Sequence, residues 1–372
     1  MKTRNPFMTS GYESPEYFCD RVEETADLVD ALENDRNVTI MAPRRYGKTG
    51  LIENAFHLLR NEKGYRTALL DIFPAQDMAG FTRMFASAVF KSLESSVEKA
   101  LAAATTFVKS CRPTLSIDPR DMSHKFSFDI APSAAEATLA DVFEYLARRR
   151  DPVAIAIDEF QQIAEFPEKG VAALIRSHVQ KVPRIGFVFA GSRQHLMHEM
   201  FSSAKRPFYQ STQILSLHTI PCNSYSAFAR RFFDGARLPF DSAVFEEVYR
   251  RFDGITWYVQ AVMNRIWGAG DGLSNVAQVD AAVKSLVEDQ SDVYHDLIRS
   301  QSEGSRKMLR AIARAGAVRQ PSAGKFVASA GFKAASSAAF ALKDLRGRDL
   351  VYETDSGWVV YDRLFGVWLR EN

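Results

Sequence analysis

The residues best suited to chemistry in this chain run Ala42-Pro43-Arg44-Arg45-Tyr46-Gly47-Lys48-Thr49, with Gly50 next. A lysine and a hydroxyl side chain directly after a glycine, opening a helix, is the pattern of a phosphate-binding P-loop. Ala42 stands where that pattern has its first glycine. The residue types suit a polyphosphate. A turn opening a helix aims backbone N–H groups at anionic oxygens, and the helix N-terminus adds a favourable field. Lys48 would reach the β- and γ-phosphates, Thr49 would set its hydroxyl on Mg²⁺, and Gly47 would let the backbone come close. A second pattern is Val153-Ala154-Ile155-Ala156-Ile157-Asp158-Glu159. An acid at the C-terminal end of a buried parallel strand lies at the sheet edge where ligands bind. Asp158 would hold Mg²⁺ through a water, and Glu159 would orient or deprotonate an attacking water. A third is Gly191-Ser192-Arg193, after the apolar run Ile185–Ala190. Arg193, or alternatively Ser192, would read the γ-phosphate. Arg206 is either a cation offered to phosphate, in cis or to a neighbouring subunit, or one half of a surface basic pair with Lys205.

The candidate catalytic residues are therefore Glu159, Lys48 and Arg193, the metal ligands Thr49 and Asp158, and the nucleotide cradle Ala42 to Gly50. The elements around them must put them at one sheet edge. Asn37 to Met41 reads as a buried strand before the P-loop, and Leu51, Ala55, Leu58 and Leu59 as the apolar stripe of a helix after it. Arg66 to Phe73 is the next strand, which makes a βαβ unit and a parallel sheet. Upstream, Val22, Ala26, Val29 and Leu32 keep helical spacing. Further on, 78–104 reads as helical, 105–135 as an irregular insertion or hairpin, and 136–150 as helical. After the acid-ended strand, 170–181 reads as a helix, 185–190 as a strand and 213–217 as one more. From 223 to 315 the pattern is helical.

The chain has 372 residues, 46% hydrophobic and 25% charged, with 47 Lys+Arg against 45 Asp+Glu. That suits two or three globular domains and excludes a disordered, collagen-like or disulfide-scaffold chain. Cys19, Cys111 and Cys222 stand far apart with no CxxC pair, so zinc and redox chemistry find no support. The first twelve residues carry no apolar stretch of the signal-peptide kind, and no run of about 18 apolar residues marks a membrane span. The expected location is the cytoplasm.

In this order and spacing, APRRYGKT, IAIDEFQQI, FAGSRQHLMHEMF, KRPFYQS and the terminal YDRLFGVWLRE resemble the archaeal-type ATPases of the STAND branch of AAA-like P-loop proteins, bacterial members most. EYFCDRVEETADLVDAL resembles that family's F-x-D-R-x-x-E lead-in. The resemblance implies an α/β fold: a P-loop NTPase parallel-sheet core of the ASCE/AAA-like kind, a helical lid and a C-terminal winged-helix domain. It also implies an extra strand between the P-loop strand and the Walker B strand, with 74–150 leaving room for helices around it. The corresponding boundaries are 1–220, 221–300 and 301–372. Related switches pack a lid proline on adenine. Here Asp253-Gly254-Ile255-Thr256-Trp257-Tyr258 has Thr256 at that place, leaving Trp257 or Tyr258 to pack on adenine or simply to fill a core. Tyr361-Asp362 stands where such switches have His-Asp, without the His. Some members continue into a nuclease-like domain, which is not expected here.

Three helices, 305–316, 322–330 and 334–346, and two short strands around Asp355-Ser356-Gly357 give the winged-helix order. Helix 334–346 would be the recognition helix, ringed by Lys333, Lys343, Arg346 and Arg348. Residues 301–350 hold ten Lys/Arg against three acids, a net +7 inside a chain of net +2. That asymmetry is an argument for double-stranded DNA bound through 322–348; a lid contacting phosphates or an acidic protein partner would want the same charge. Leu364 to Leu369 is expected to pack on this module. The leading expectation is a slow, Mg²⁺-dependent ATPase whose bound ATP or ADP sets the position of lid and winged helix. The alternatives are a DNA-binding regulator with structural nucleotide, and a homo-oligomerising signalling or defence scaffold. Phosphotransfer to a second substrate fits less well, because no acceptor motif appears.

Overall fold

The structure, a computed structural model, describes residues 4–117, 124–204 and 206–372. It divides into two compact units, 10–225 and 1–9 together with 226–372.

The first unit begins with α1 (Val22–Glu33), β1 (Val38–Met41), α2 (Lys48–Lys63) and β2 (Arg66–Asp71). Then come α3 (Met78–Leu93), α4 (Val97–Phe107), β3 (Arg112–Ile117), β4 (His124–Asp129) and α5 (Ala135–Ala147). It continues through β5 (Val153–Asp158), α6 (Val171–Val179), β6 (Ile185–Gly191), α7 (Gln194–Ser202) and β7 (Gln213–Ser216). Five strands form one parallel sheet in the order β2-β5-β6-β1-β7. The strand between the P-loop strand β1 and the acid-ended strand β5 is thus β6, which follows both in sequence. Among the described residues, 74–150 adds helices and the separate antiparallel hairpin β3-β4, and no strand to this sheet. Residues 118–123, between β3 and β4 in sequence, lie outside the described residues.

All residues of β5 and β6 are buried, as expected of central strands covered on both faces. Their alternation sorts size. Ala154, Ala156, Val188 and Ala190 face the layer of α1 and α2, with Leu28, Leu32, Leu51 and Phe56. Ile155, Ile157, Phe187 and Phe189 face α3, α5, α6 and α7. Small side chains on the first face let α1 approach closely. At Gly186 a Cβ would stand 2.6 Å from Leu32 Cδ2. On the second face Phe160, Phe189, Phe201 and Phe208 form a four-ring cluster with centroids 4.6–5.7 Å apart. The expected helix over 78–104 is two helices. Ser96 breaks it, because its hydroxyl accepts from Lys99 N and starts α4 afresh.

The chain next forms α8 (Cys222–Gly235), which carries it into the second unit, then α9 (Ser242–Arg251), α10 (Thr256–Ala269), α11 (Val276–Glu288) and α12 (Ser291–Arg299). Last come α13 (Glu303–Ala315), α14 (Gly324–Ser329), α15 (Ala335–Gly347), β8 (Val351–Thr354), β9 (Gly357–Val360) and α16 (Arg363–Glu371). Val318 adds a third chain segment to the wing through an antiparallel bridge to Trp358. Helix α16 packs on α13 and α11. Phe7 is fully buried among Phe228, Phe232, Phe233 and Trp267; beside it Asn5 Nδ2 donates to Asn264 O, and Asn264 Nδ2 donates to Phe7 O. The segment before the P-loop unit therefore belongs to the second unit, which nothing in its composition announces. No helix among the described residues is long and apolar enough to cross a membrane.

Candidate nucleotide site

The turn after β1 enters α2 through Arg45 and Gly47, both with positive φ, 74° and 88°. Gly47 takes this backbone at no steric cost, and it is the residue before the helix. The first N–H groups of α2 have no intrahelical acceptor, so the loop presents donors to an anion. Lys48 is buried, and its Nζ donates to Ala42 O at 3.2 Å and Pro43 O at 3.3 Å. The ammonium thus folds back over its own loop. Burial lowers its pKa, against the pull of the Asp158 and Glu159 charges. Gly50 faces the Phe18 ring, which a Cβ would meet at 3.5 Å.

Across 109 residues of sequence, Thr49 Oγ1 donates to Asp158 Oδ2 at 2.7 Å. Asp158 is buried at the C-terminal end of β5, and its other oxygen accepts from Glu159 N at 2.9 Å. Glu159 has φ 55°, a left-handed backbone costly for a non-glycine residue. That turn separates the two carboxylates. Glu159 Oε2 accepts from Ser192 Oγ at 2.8 Å and from Gln161 Nε2. Gln161 Oε1 is buried without a partner among the described residues. Of the two residues after β6, then, Ser192 meets Glu159. Arg193 pairs with Glu165 at 3.1 Å, and Arg206 pairs with Glu199. Lys205 lies outside the described residues.

Two site residues escaped the sequence reading. Asp71 ends β2 in register with Asp158. Its Oδ1 accepts from Phe73 N, and desolvation together with the Asp158 and Glu159 charges pushes its pKa up. The signal was present: RTALLD is an apolar run ending in an acid, as is VAIAID. Arg21 is the other. It is 5% exposed and reaches Glu24 Oε1 at 2.6 Å, Tyr46 O of the P-loop at 3.3 Å and His218 O beyond β7 at 2.5 Å. Asp20 and Arg21 both have positive φ, which turns this side chain inward ahead of α1. The D-R-x-x-E lead-in is thus a latch that ties the P-loop backbone to the end of the sheet.

The donor set suits Mg²⁺ chemically. A hydroxyl and a carboxylate at hydrogen-bond distance are the hard oxygen ligands this ion takes, usually completed by substrate phosphates and waters rather than by a protein cage. Among the described residues no group of three or more His, Cys, Asp and Glu makes such a cage.

Other expected residues have structural duties. Tyr258 is buried, stacks on Phe252 at 5.4 Å, donates to Asp362 and accepts from Arg363 N. Trp257 Nε1 donates to Thr9 O. Asp362 caps α16 by accepting from Leu364 N and Phe365 N. On α15, Arg346 lies over the Trp358 ring and Arg348 is held by Asp344 at 3.0 Å.

Comparison with known proteins follows this geometry. Residues 18–262 match the family described as an ATPase domain predominantly from Archaea, and 292–371 match a probable winged helix domain. No curated protein matches. Among solved structures, the Walker-type ATPase of Pyrococcus abyssi superposes with TM-score 0.67 at 19% identity over 98% of this chain and 99% of that one. The Aeropyrum pernix ORC2 protein, solved as ADPNP-ADP complexes, gives TM-score 0.62 at 18% identity over 100% and 96%. The Aeropyrum pernix ORC1 protein, solved in complex with DNA, gives 0.54 at 12% over 99% and 97%. At these identities the likeness is one of fold: a P-loop core followed by a winged helix.

Proposed function

From the premise that the chain belongs to the family of ATPase domains predominantly from Archaea, we propose that it is a Mg²⁺-dependent ATP-binding and hydrolysing switch of STAND type. The observation that carries this reading is the 2.7 Å bond between Thr49 and Asp158. It brings the hydroxyl of the P-loop and the acid that ends β5 to one point beside the helix N-terminus. Residues 42–50 cradle the phosphates through backbone N–H groups. Lys48 leaves the Ala42 and Pro43 carbonyls and turns to the β- and γ-phosphates, where its charge is better matched. Thr49 and Asp158 would hold Mg²⁺, which would supply neutralising charge for the phosphates. Glu159 holds the attacking water, its carboxylate aimed by Ser192 and Gln161. The γ-phosphate is read by Arg193 once it leaves Glu165, or by Ser192. Arg206 offers a further cation if it leaves Glu199. The proposed functional parts are 1–220, 221–300 and 301–372, with residues 4–9 packing in the second unit, and lid and winged helix respond to the nucleotide.

The test is a pair of variants. Lys48→Ala is expected to abolish nucleotide binding or turnover. Glu159→Gln is expected to bind ATP and keep it unhydrolysed. Wild-type hydrolysis by Lys48→Ala refutes the mechanism. A second reading, a nucleic-acid contact, is favoured by the net +7 of residues 301–350 and by the DNA complex of a protein of similar fold. Hydrolysis measured with and without duplex DNA separates the roles. Stimulation supports a DNA-coupled ATPase. Tight binding indifferent to nucleotide supports a regulator, and nucleotide-dependent oligomers without DNA affinity support a scaffold.

A further inference from the structure

We infer that the winged helix engages a nucleic-acid backbone through the groove between α13 and α14, and not through α15. This rests on the nucleic-acid reading above and moves its site. The groove holds about 520 Å³. One wall carries Arg306, Lys307, Arg310 and Arg314; the other is uncharged, with Phe326 and Ala330. Lys307 pairs with Glu303 at 2.7 Å, which uses up the groove's one carboxylate. Arg306, Arg310 and Arg314 make no salt bridge and no side-chain hydrogen bond among the described residues. The Nε of Arg310 is moreover buried without a partner.

The spacing is the argument. Residues four apart on a helix rise about 6 Å per step and lie on neighbouring turns. Like charges so placed repel and destabilise the helix. Arg306 also feels the Glu303 charge and Arg314 stands in the last turn of α13, but none of the three packs into the core, since the buried side of α13 is Met308, Leu309 and Ile312. An evenly stepped row of guanidinium forks facing an uncharged wall is complementary to a strand with phosphates along one side and sugars along the other. Arginine forks also match phosphate oxygens two at a time. By contrast, α15 has spent its arginines, Arg346 on Trp358 and Arg348 on Asp344. Its outward face presents Ser336, Ser337 and Ala339 around Phe340, which is 75% exposed, leaving Lys343 and, just before the helix, Lys333 to meet phosphate.

The experiment uses the full chain and a fluorescent DNA duplex, read by anisotropy between about 50 and 200 mM salt. The triple variant Arg306→Gln, Arg310→Gln, Arg314→Gln is compared with the double variant Lys333→Gln, Lys343→Gln. Three lost phosphate contacts should flatten the logarithmic salt slope by about 2.7 and weaken binding at least about tenfold. The double variant should bind like wild type. The three matching Arg→Lys substitutions should restore the salt slope while leaving affinity short of wild type. Melting temperature and basal ATP hydrolysis, unchanged in the triple variant, show that it folds. If the double variant loses binding and the triple keeps it, the groove is wrong while the nucleic-acid reading stands. If wild type binds neither duplex nor single strand, both fall. Binding of poly-glutamate but no nucleic acid, lost in the triple variant, makes the groove a protein-docking site and overturns the occupant proposed.

Discussion

Replacing Arg21 with methionine tests whether the lead-in segment holds the P-loop. Methionine keeps most of the length and removes the charge and every donor. Three partners lose their bond: Glu24, Tyr46 O and His218 O. Glu24 is 26% exposed and recovers water, so its loss is small. The bond to His218 O, at 2.5 Å from a buried cation, counts fully, and that to Tyr46 O at 3.3 Å counts less. A bond to a charged donor contributes about 1.5–3 kcal/mol, so the total is about 2–4 kcal/mol. For a unit of this size that lowers Tm by about 5–15 °C. The P-loop then loses its anchor at Tyr46. Re-ordering one residue's backbone on binding costs about 1–2 kcal/mol, which weakens nucleotide affinity about tenfold. Thermal melts give the first number and titration with a fluorescent ADP analogue gives the second. An unchanged melt refutes the burial argument. A lowered melt with wild-type affinity refutes the latch, leaving Arg21 a support for α1 alone.

Gly191→Ala puts a Cβ 2.4 Å from Gln161 Oε1 and from Met197 Sδ. Gln161 must move off Glu159, so kcat should fall with little change in KM, at a stability cost of about 1–3 kcal/mol; an unchanged kcat would show that Gln161 does not aim the carboxylate. Asp71→Asn should raise the melting temperature at pH 7, because the ionised carboxylate sits where desolvation and two neighbouring acids disfavour it. The raised pKa means that this penalty is absent at low pH and grows as pH rises through it, so the gain should vanish below the carboxylate range; a gain independent of pH contradicts the charge argument. Gly357→Ala meets Val318 and Arg319 backbone at 2.6–2.7 Å with φ 124°, and neither strand can retreat. We expect early unfolding of the winged helix, seen as rapid proteolysis after α12, and native-like resistance would be the contrary result.

Much of the core was legible because its signals are local. The P-loop spacing, the apolar runs of β5 and β6 and their terminal polar residues sit within a few residues of one another. So did the winged helix, whose three helices and hairpin follow in order. What escaped is what depends on partners distant in sequence. Asp71 matters because β2 pairs with β5 in a register that aligns it with Asp158. Arg21 matters because a left-handed turn aims it at carbonyls 25 and 197 residues away. The rank of Arg193 over Ser192 followed from charge alone. The structure adds Glu165, which holds the arginine, and Glu159, which receives the serine. The basic ring around α15 was only partly readable: Asp344 and Arg348 stand four apart, an i,i+4 pair visible in the sequence, whereas Trp358 meets Arg346 only in three dimensions.

The four-ring cluster on the large-residue face has a mechanical consequence. Phe160 follows Glu159, Phe189 lies two residues before Gly191, Phe201 is near the end of α7, and Phe208 lies between α7 and β7. Every ring touches the other three, in a core as dense as a molecular crystal. None can slide without repacking all of them. The residue after Glu159, the strand leading to Ser192 and the helix leaving it are therefore one stiff lever. Motion of any one of these segments must be shared by the others. Amide exchange at these four positions should accordingly open in a single step, with the slowest rates in the unit.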